Sequence, residues 1–140
     1  MADEMALLVA DVFELAGLLR RSGEAVAGRE GQTQARWQLL SVVSSDALTV
    51  AQAARRLGVT RQGIQRVAND LVSAGLAEFR PNPDHRTSPL LAITDSGRST
   101  LAAITQHAAV VNQHLADVVG PSALSATRDG VRRLILALKG

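Results

Sequence analysis

The 140-residue chain contains no cysteine, and this absence excludes several kinds of site. Without thiols the chain forms no disulfide bond and offers no thiolate to a metal ion or to covalent catalysis. Aromatic residues are almost as scarce, because one Trp and two Phe make up the whole set. Aliphatic side chains must therefore fill the core, and 46% apolar residues are enough for a single domain of this length.

A membrane span is also missing from the sequence, because no apolar run approaches the roughly 20 residues that a span needs. The apolar stretch at the amino end is interrupted by acidic residues and has no basic segment before it, which is unlike a signal peptide. We therefore expect a cytoplasmic protein with no membrane partner. The interrupting residues are Asp3, Glu4, Asp11 and Glu14.

Patterns typical of enzymes are absent as well. The chain has no glycine-rich phosphate loop and no carboxylate pair at an interpretable spacing, and Ser96-Gly97 fits the start of a helix that Thr94 caps. His107 and His114 lie two helical turns apart, too far to share one ion within a helix, and lack obvious acidic partners. We therefore expect neither an enzyme nor a metal site, and no cofactor.

Charge is distributed unevenly, although the formal net charge is only +2. Residues 1–48 have 4 basic and 7 acidic residues, residues 49–98 have 7 and 4, and residues 99–140 have 4 and 2. An excess of basic residues in the middle segment indicates an anionic partner there.

Residues 49–76 have the pattern of two short helices joined by a tight turn. Thr49 can cap the first helix while Gln52, three residues later, bonds back to it in a capping box. Gly58 follows this helix, where a glycine takes the left-handed conformation at little cost. Thr60 can then cap the second helix. This arrangement predicts a helix-turn-helix.

The second helix separates apolar from polar residues, with positions 64, 67, 68, 71 and 72 facing inward. Its outward face carries Arg, Gln and Asn, whose donors and acceptors match guanine and adenine edges in the major groove. Residues 49–69 hold four arginines and no acid, whereas an ordinary solvated face mixes both signs. We predict DNA contacts by Arg55, Arg56, Thr60, Arg61, Gln62, Gln65, Arg66 and Asn69.

Two short strands, Ala77–Arg80 and Leu90–Ile93, are predicted on either side of a proline-containing loop. A hairpin directly after a recognition helix is a wing. Arg86, near its tip, can enter the minor groove, where negative potential is concentrated, and Asp84 would brace it. The alternative is an exposed ion pair between these two residues, worth under about 1 kcal/mol and without function.

Four segments follow one another in a characteristic order: LGVTR at 57–61, LVSAGL at 71–76, DHR at 84–86 and ITDSGR at 93–98. Their order and spacing, from about residue 37 to residue 98, resemble the MarR (multiple antibiotic resistance regulator) family of bacterial winged-helix transcription factors. The resemblance implies that Arg86 contacts the minor groove and that Asp84 orients it. Thr87 departs from a position that is often basic in the family.

The same resemblance implies regulation by a small molecule, often an aromatic or phenolic acid. Arg36 and Trp37 are the candidate ligand-binding residues, because a cation and a ring on the helix before the helix-turn-helix can hold an aromatic anion. The alternative is that Trp37 only packs in the core.

Both ends of the chain carry helices with apolar residues three and four positions apart. A third such helix is opened by Pro121 and runs to about Leu138. These apolar faces pack either against one another within one larger monomer or against the same helices of a second chain. We expect a homodimer, because two-fold symmetry sets two recognition helices about one DNA turn, roughly 34 Å, apart. The apolar positions are Met5, Leu8, Val12, Leu15, Leu19, Leu101, Ile104, Ala108, Val111, Leu115, Val118, Val131, Leu134, Ile135 and Leu138.

The predicted fold is mainly α with a small β-hairpin wing: a winged helix-turn-helix domain flanked by amino- and carboxy-terminal dimerisation helices. Within a single domain of residues 1–140, the DNA-binding region is 35–98 and the dimerisation region is 1–30 and 99–140. The predicted function is transcriptional regulation, as a repressor that binds double-stranded DNA at a pseudo-palindromic operator and is released by a small aromatic ligand. The alternatives are a winged-helix protein-interaction module and a nonspecific nucleoid-associated DNA binder.

Overall fold

A computed structural model describes residues 3–140, so residues 1 and 2 of the predicted amino-terminal dimerisation region lie outside the described residues. Six helices and one two-stranded antiparallel sheet make up this part of the chain, which confirms the predicted mainly α fold with a small hairpin. The elements are α1 (Glu4–Gly28), α2 (Gln34–Val43), α3 (Val50–Leu57), α4 (Arg61–Ser73), β1 (Ala77–Arg80), β2 (Leu90–Ile93), α5 (Asp95–Val119) and α6 (Pro121–Lys139).

Two compact units divide the chain, Met1–Thr105 and Gln106–Gly140. The first contains the helix-turn-helix and the hairpin, and the second contains the carboxy-terminal part of α5 and all of α6. No helix in residues 3–140 combines the length and the apolar character that a bilayer crossing needs.

The helix-turn-helix forms through the local signals that the sequence predicts. Thr49 Oγ1 accepts a hydrogen bond from the Gln52 amide (3.1 Å), and the Thr49 amide donates to Gln52 Oε1 (2.9 Å), which completes the capping box. Gly58 ends α3 in the left-handed conformation, at φ 68° and ψ 34°. Thr60 then caps α4 by accepting from the Gly63 amide at 3.1 Å. These bonds satisfy backbone amides that a helix start leaves free.

The core of the first unit is aliphatic, as the scarcity of aromatic residues predicts. Trp37 and Phe79 are only half-buried, so neither ring fills its centre. The predicted inward face of α4 is confirmed, since Ile64, Ala68 and Leu71 are buried and Val67 and Val72 are partly buried. The largest fully buried side chains of the protein are Leu39, Leu40, Leu71, Leu91, Ile104 and Val43.

The hairpin has the predicted bounds and pairs antiparallel, with Ala77 opposite Ile93 and Arg80 opposite Leu90. Leu48, which lies just before α3, adds a bridge that the sequence analysis missed. Its amide donates to the Leu91 carbonyl (3.1 Å), and the Leu91 amide donates back to the Leu48 carbonyl (2.7 Å). The bridge fixes the wing to the beginning of the helix-turn-helix. A one-residue strand has no periodicity from which it could be predicted.

Helix α5 begins directly against the hairpin. Thr94 Oγ1 accepts from the Gly97 amide (3.1 Å), which confirms the predicted cap, and donates to the Gly75 carbonyl (2.7 Å). A Cβ atom on Gly97 would overlap the carbonyl oxygen of Leu76 and lie 2.8 Å from Ile93 Cγ1. Only glycine permits this close approach between the helix and the turn before β1.

Large apolar side chains remain exposed at both ends of the chain. Phe13 on α1 is 74% exposed, and Leu138 on α6 is 88% exposed. Of the predicted seam residues on α5, Ile104 and Ala108 are buried, whereas Leu115 and Val118 are exposed. The exposed large apolar residues of α1 are Met5, Leu7, Leu8, Val9, Val12, Phe13, Leu15, Leu18 and Leu19.

Candidate nucleic-acid interface

The outward face of α4 carries the polar residues that the sequence places there. The side chains form two rows along the helix, one with residues 61, 65 and 69 and the other with residues 62 and 66. Within the first row, Gln65 Nε2 donates to Asn69 Oδ1 at 3.0 Å. All five side chains are exposed: Arg61, Gln62, Gln65, Arg66 and Asn69.

Helix α4 and the wing loop between β1 and β2 line the same cleft, which has a volume of about 170 Å³. Arg61 and Gln65 line it from α4, while Thr87 and Ser88 line it from the wing loop. The remaining lining residues come from the start of α3 and from the hairpin: Thr49, Val50, Ala51, Phe79 and Pro89. The fold thus brings residues more than 20 positions apart in sequence to one concave surface of mixed polar and apolar residues.

Arginines of the helix-turn-helix and the wing tip are free of intramolecular ion pairs. Of the seven arginines in residues 49–98, Arg80 pairs with Glu78 (2.7 Å) and Arg98 Nη1 donates to the Ser44 carbonyl (3.1 Å). The other five are exposed, and the described part of the chain has no ion pair to any of them. They are Arg55, Arg56, Arg61, Arg66 and Arg86.

The only carboxylate of α4 is held away from this face. Asp70 lies four residues after Arg66, a spacing at which helical residues commonly pair. Its Oδ2 instead lies 3.5 Å from Nη2 of Arg36, a residue of α2. This pair leaves the Arg66 guanidinium available to an external anion or base. In the described residues α4 thus presents positive charge without an acid bonded to it.

The wing loop is shaped by Asn82, a residue that the sequence analysis did not select. Asn82 Nδ2 donates to the Ser88 carbonyl (2.9 Å), and Asn82 Oδ1 accepts from the Asp84 amide (3.0 Å). An Asn bonded to the amide two residues later is an Asx turn, so the signal was present in the Asn-Pro-Asp sequence. Asn82 thereby closes the loop whose tip carries Arg86.

The predicted brace between Asp84 and Arg86 is not formed in this DNA-free structure. In residues 3–140 no ion pair or hydrogen bond joins the two side chains. Both are exposed, and ordering two exposed side chains costs conformational entropy that a surface ion pair barely repays. The short-range order of the loop comes from Asn82 and from a contact of 3.1 Å between His85 Nδ1 and Thr87 Oγ1.

The two predicted ligand-binding residues do not come together in one pocket. Trp37 lines a groove of about 430 Å³ between α2 and the end of α3. Arg36 is not among its lining residues, and its guanidinium is engaged with Asp70. Adjacent residues of a helix point about 100° apart, which is why the cation and the ring separate. The other lining residues are Gln34, Gln38, Ser41, Val42 and Leu57.

Comparison with known proteins agrees with this geometry. A model of the MarR family matches residues 31–86, which span α2, the helix-turn-helix and the wing to Arg86. Residues 31–86 form a MarR family domain. A crystal structure of a MarR family transcriptional regulator from Streptomyces coelicolor is 22% identical, covers 99% of this chain and 97% of its own, and superposes with a TM-score of 0.86.

Two further relatives are similar over nearly the whole chain. The structure of a MarR family regulator from Rhodococcus sp. RHA1 has a TM-score of 0.85 at 13% identity and covers 96% of each chain. An uncharacterised protein of Mycobacterium tuberculosis H37Rv is 76% identical over 139 residues, which is 99% of this chain and 97% of the relative. The MarR family consists of DNA-binding transcription regulators with a winged helix, and its members are generally not enzymes.

Proposed function

We propose that this MarR family protein is a homodimeric repressor that binds a pseudo-palindromic operator in double-stranded DNA. The observation that carries the proposal is the set of five exposed arginines without intramolecular ion pairs, on the helix-turn-helix and at the wing tip. A protein that neutralises phosphates with free cations releases counterions from DNA, which drives binding. We assign the protein to the cytoplasm and assign it no catalytic role.

Each predicted contact residue except Asn69 receives a role from its position on α3, α4 or the wing. Gln62, Gln65 and Arg66 lie on the exposed face of α4 and are assigned to base edges in the major groove. Phosphate contacts are assigned to Arg55 and Arg56 on the last turn of α3 and to Thr60 and Arg61 at the amino end of α4. The minor-groove contact is assigned to Arg86 at the wing tip, oriented by Asp84 in the bound state.

A dimer is supported by the exposed apolar faces at both ends of the chain. Leu7, Leu15 and Leu18 of α1 are about half exposed, at 50%, 53% and 50%. A contiguous set of large apolar side chains in water marks an interaction surface. We assign residues 1–30 and 99–140 to the dimerisation region and residues 35–98 to DNA binding. Two-fold symmetry would then centre the half-sites about 10 bp apart.

Release by a small aromatic or phenolic ligand is the proposed regulation, with the Trp37 groove as its candidate site. Such a ligand shifts the protein only if its affinity for the DNA-free conformation exceeds that for the DNA-bound one. Trp37 is the only tryptophan, so its fluorescence reports directly on the groove. Titration with phenolic acids such as 4-hydroxybenzoate, with and without operator DNA, tests this: an affinity that DNA does not change removes the ligand tested as an inducer.

The experiment that tests the function is selection of bound duplexes from a random DNA library at two salt concentrations, followed by sequencing. Enrichment of an inverted repeat with half-sites about one turn apart, together with a steep fall in binding with salt, supports the proposal. Salt-dependent binding without an enriched motif would favour a nonspecific nucleoid-associated protein. Absence of binding to any duplex would favour a winged helix used for protein interaction.

The variant Arg66→Ala tests direct base recognition. Loss of one bidentate contact costs about 1 to 3 kcal/mol and relaxes base preference at one position. Arg55→Ala is the matched comparison, because loss of a phosphate contact weakens all sequences alike and lowers the salt slope by about one. An unchanged ratio of specific to random binding in Arg66→Ala would contradict the assignment of base recognition to this residue.

A further inference from the structure

Gln65 and Asn69 differ from the other outward-facing residues of α4 because their side chains are bonded to each other along the same face. Gln65 Nε2 donates to Asn69 Oδ1 at 3.0 Å, one helical turn along. Gln65 lines the cleft shared with the wing, whereas Asn69 is not among the residues that line it. Asn69 is thus bonded to a residue of the cleft without lining the cleft itself.

We propose that Asn69 is a positioning residue that holds the Gln65 amide in the orientation that selects adenine. The inference rests on the proposed function, in which Gln65 contacts a base. An unrestrained glutamine amide can turn over about its last torsion, presenting oxygen and nitrogen to adenine or N–H groups to the N7 and O6 acceptors of guanine. In the observed pair Asn69 Oδ1 accepts an N–H of Gln65 and would repel Gln65 Oε1, so the Gln65 amide turns over only if the Asn69 amide turns with it.

The atoms that remain free on Gln65 match one base. Nε2 has two N–H groups, of which Asn69 uses one, and Oε1 keeps both of its lone pairs. One acceptor and one donor complement the N6 amino group and N7 of adenine. Guanine would place its O6 acceptor against Oε1, and two acceptors facing each other repel. The pair thus disfavours guanine as well as favouring adenine, and specificity commonly needs both effects.

Other charges on α4 do not compete for this arrangement. Asp70, the adjacent acid, is engaged by Arg36 at 3.5 Å. Arg61 lies one turn before Gln65 on the same row, and Arg66 and Gln62 lie on the neighbouring row. In the described residues none of the three is hydrogen-bonded to the Gln65 or Asn69 side chain. The orientation of the Gln65 amide on α4 consequently depends on one hydrogen bond, which a single substitution removes.

The test measures base preference in three variants after duplex selection has supplied the operator of the wild-type protein. Selection with Gln65→Ala first identifies the base pair whose preference depends on Gln65. Dissociation constants are then measured for two operators that differ at that pair, one with adenine and one with guanine. The variants are Asn69→Ala, which has no acceptor, Asn69→Asp, which keeps one, and Asp117→Ala as a control.

The control breaks a hydrogen bond of the same kind elsewhere. Gln113 Nε2 donates to the Asp117 carboxylate at 2.9 Å, also one turn along a helix, on α5. Asp117 lies in the proposed dimerisation region, so the quantity compared is the ratio of the two dissociation constants, to which a change in dimer affinity contributes equally for both operators. We expect Asp117→Ala to leave the adenine-over-guanine preference unchanged. A change in the control equal to that in Asn69→Ala would mean that the effect comes from general loosening of helices and would overturn the proposal.

Asn69→Ala should reduce the adenine-over-guanine preference about two- to tenfold, the range that corresponds to one net hydrogen bond. Asn69→Asp should restore the preference while weakening binding to both operators, because its carboxylate keeps the acceptor but repels phosphates. An Asn69→Ala protein with wild-type preference, or an Asn69→Asp protein that loses the preference as Asn69→Ala does, overturns the inference and leaves the proposed function standing. If the wild-type protein enriches no motif, the proposed function and the inference fail together.

Discussion

Gly97→Ala should destabilise this protein, although the same change elsewhere in a helix stabilises it. In a helix interior, alanine is favoured over glycine by about 1 kcal/mol. At Gly97, however, the added methyl group would overlap the Leu76 carbonyl oxygen and crowd Ile93 Cγ1 at 2.8 Å. The carbonyl cannot withdraw freely, because it accepts a hydrogen bond from the Thr94 amide at 3.2 Å.

The magnitude follows from the kind of clash. Forcing one extra methyl group into a packed site costs about 1 to 3 kcal/mol, and a backbone carbonyl yields less readily than a flexible side chain. Because a backbone carbonyl places the cost at the upper end of this range, the net loss in the free energy of unfolding should be about 1 to 2 kcal/mol after the gain in helix propensity. For a chain of this size, roughly 4 °C of Tm corresponds to each kcal/mol, so the Tm should fall by roughly 4 to 8 °C.

Gly130→Ala is the matched control for this measurement. Gly130 lies within α6, and a Cβ atom built there meets no heavy atom within 4 Å. Propensity alone acts at this site, so we expect the free energy of unfolding to rise by up to about 1 kcal/mol. Both variants are compared with the wild-type protein by thermal and urea unfolding, with circular dichroism as the probe. The protein concentration is kept the same throughout, because association shifts apparent stability.

Opposite signs for the two variants would support the close packing of α5 on the turn before β1. If Gly97→Ala is as stable as the wild-type protein, or gains stability as Gly130→Ala does, then α5 does not approach Leu76 as closely as described and the reasoning is refuted.

Three further predictions follow from single contacts. Thr49→Ala removes the Oγ1 that accepts from the Gln52 amide, while the backbone amide of residue 49 can still donate to Gln52 Oε1, and should lower the free energy of unfolding by about 1 kcal/mol; an unchanged urea midpoint would contradict it. Asn82→Ala opens the wing loop and should raise the Kd for operator DNA, measured by fluorescence anisotropy. Because the wing is exposed, the same substitution should change the free energy of unfolding by less than about 1 kcal/mol, and an unchanged Kd would show that the wing needs no Asx turn. Leu15→Glu places a charge among the exposed apolar residues of α1 and should convert a dimer to monomers in light scattering; a persistent dimer would place the interface elsewhere.

The sequence predicted local structure best where a backbone feature, such as a helix end or a left-handed turn, requires one particular type of residue. The capping box of Thr49 and Gln52 and the left-handed Gly58 are confirmed, because caps and glycine turns depend on a few adjacent atoms. The exposed face of α4 was predictable for a similar reason, since a helix sorts its residues by a fixed angular period. The hairpin bounds followed from the prolines and the short β-rich runs.

Contacts between distant segments escaped sequence reasoning. The bridge from Leu48 to Leu91 joins residues 43 positions apart and has no pattern in either segment. The pair of Arg36 with Asp70 was not predicted, and only the packing of α2 beside α4 brings the two charges within 3.5 Å. The part of Asn82 in shaping the wing loop was also missed, whereas the role of Asp84 at the wing stays a prediction.

The sequence by itself determined the elements, their order, the polar face of α4 and membership of a DNA-binding family, because capping, periodicity and ordered motifs are properties of neighbouring residues. The tertiary structure decided which charged side chains are free to contact a partner. It pairs Arg36 of α2 with Asp70 of α4, and leaves Arg66 free even though this acid stands one helical turn away. The physical reason is that an ion pair depends on distance in space, which sequence spacing constrains only within a single helix or strand.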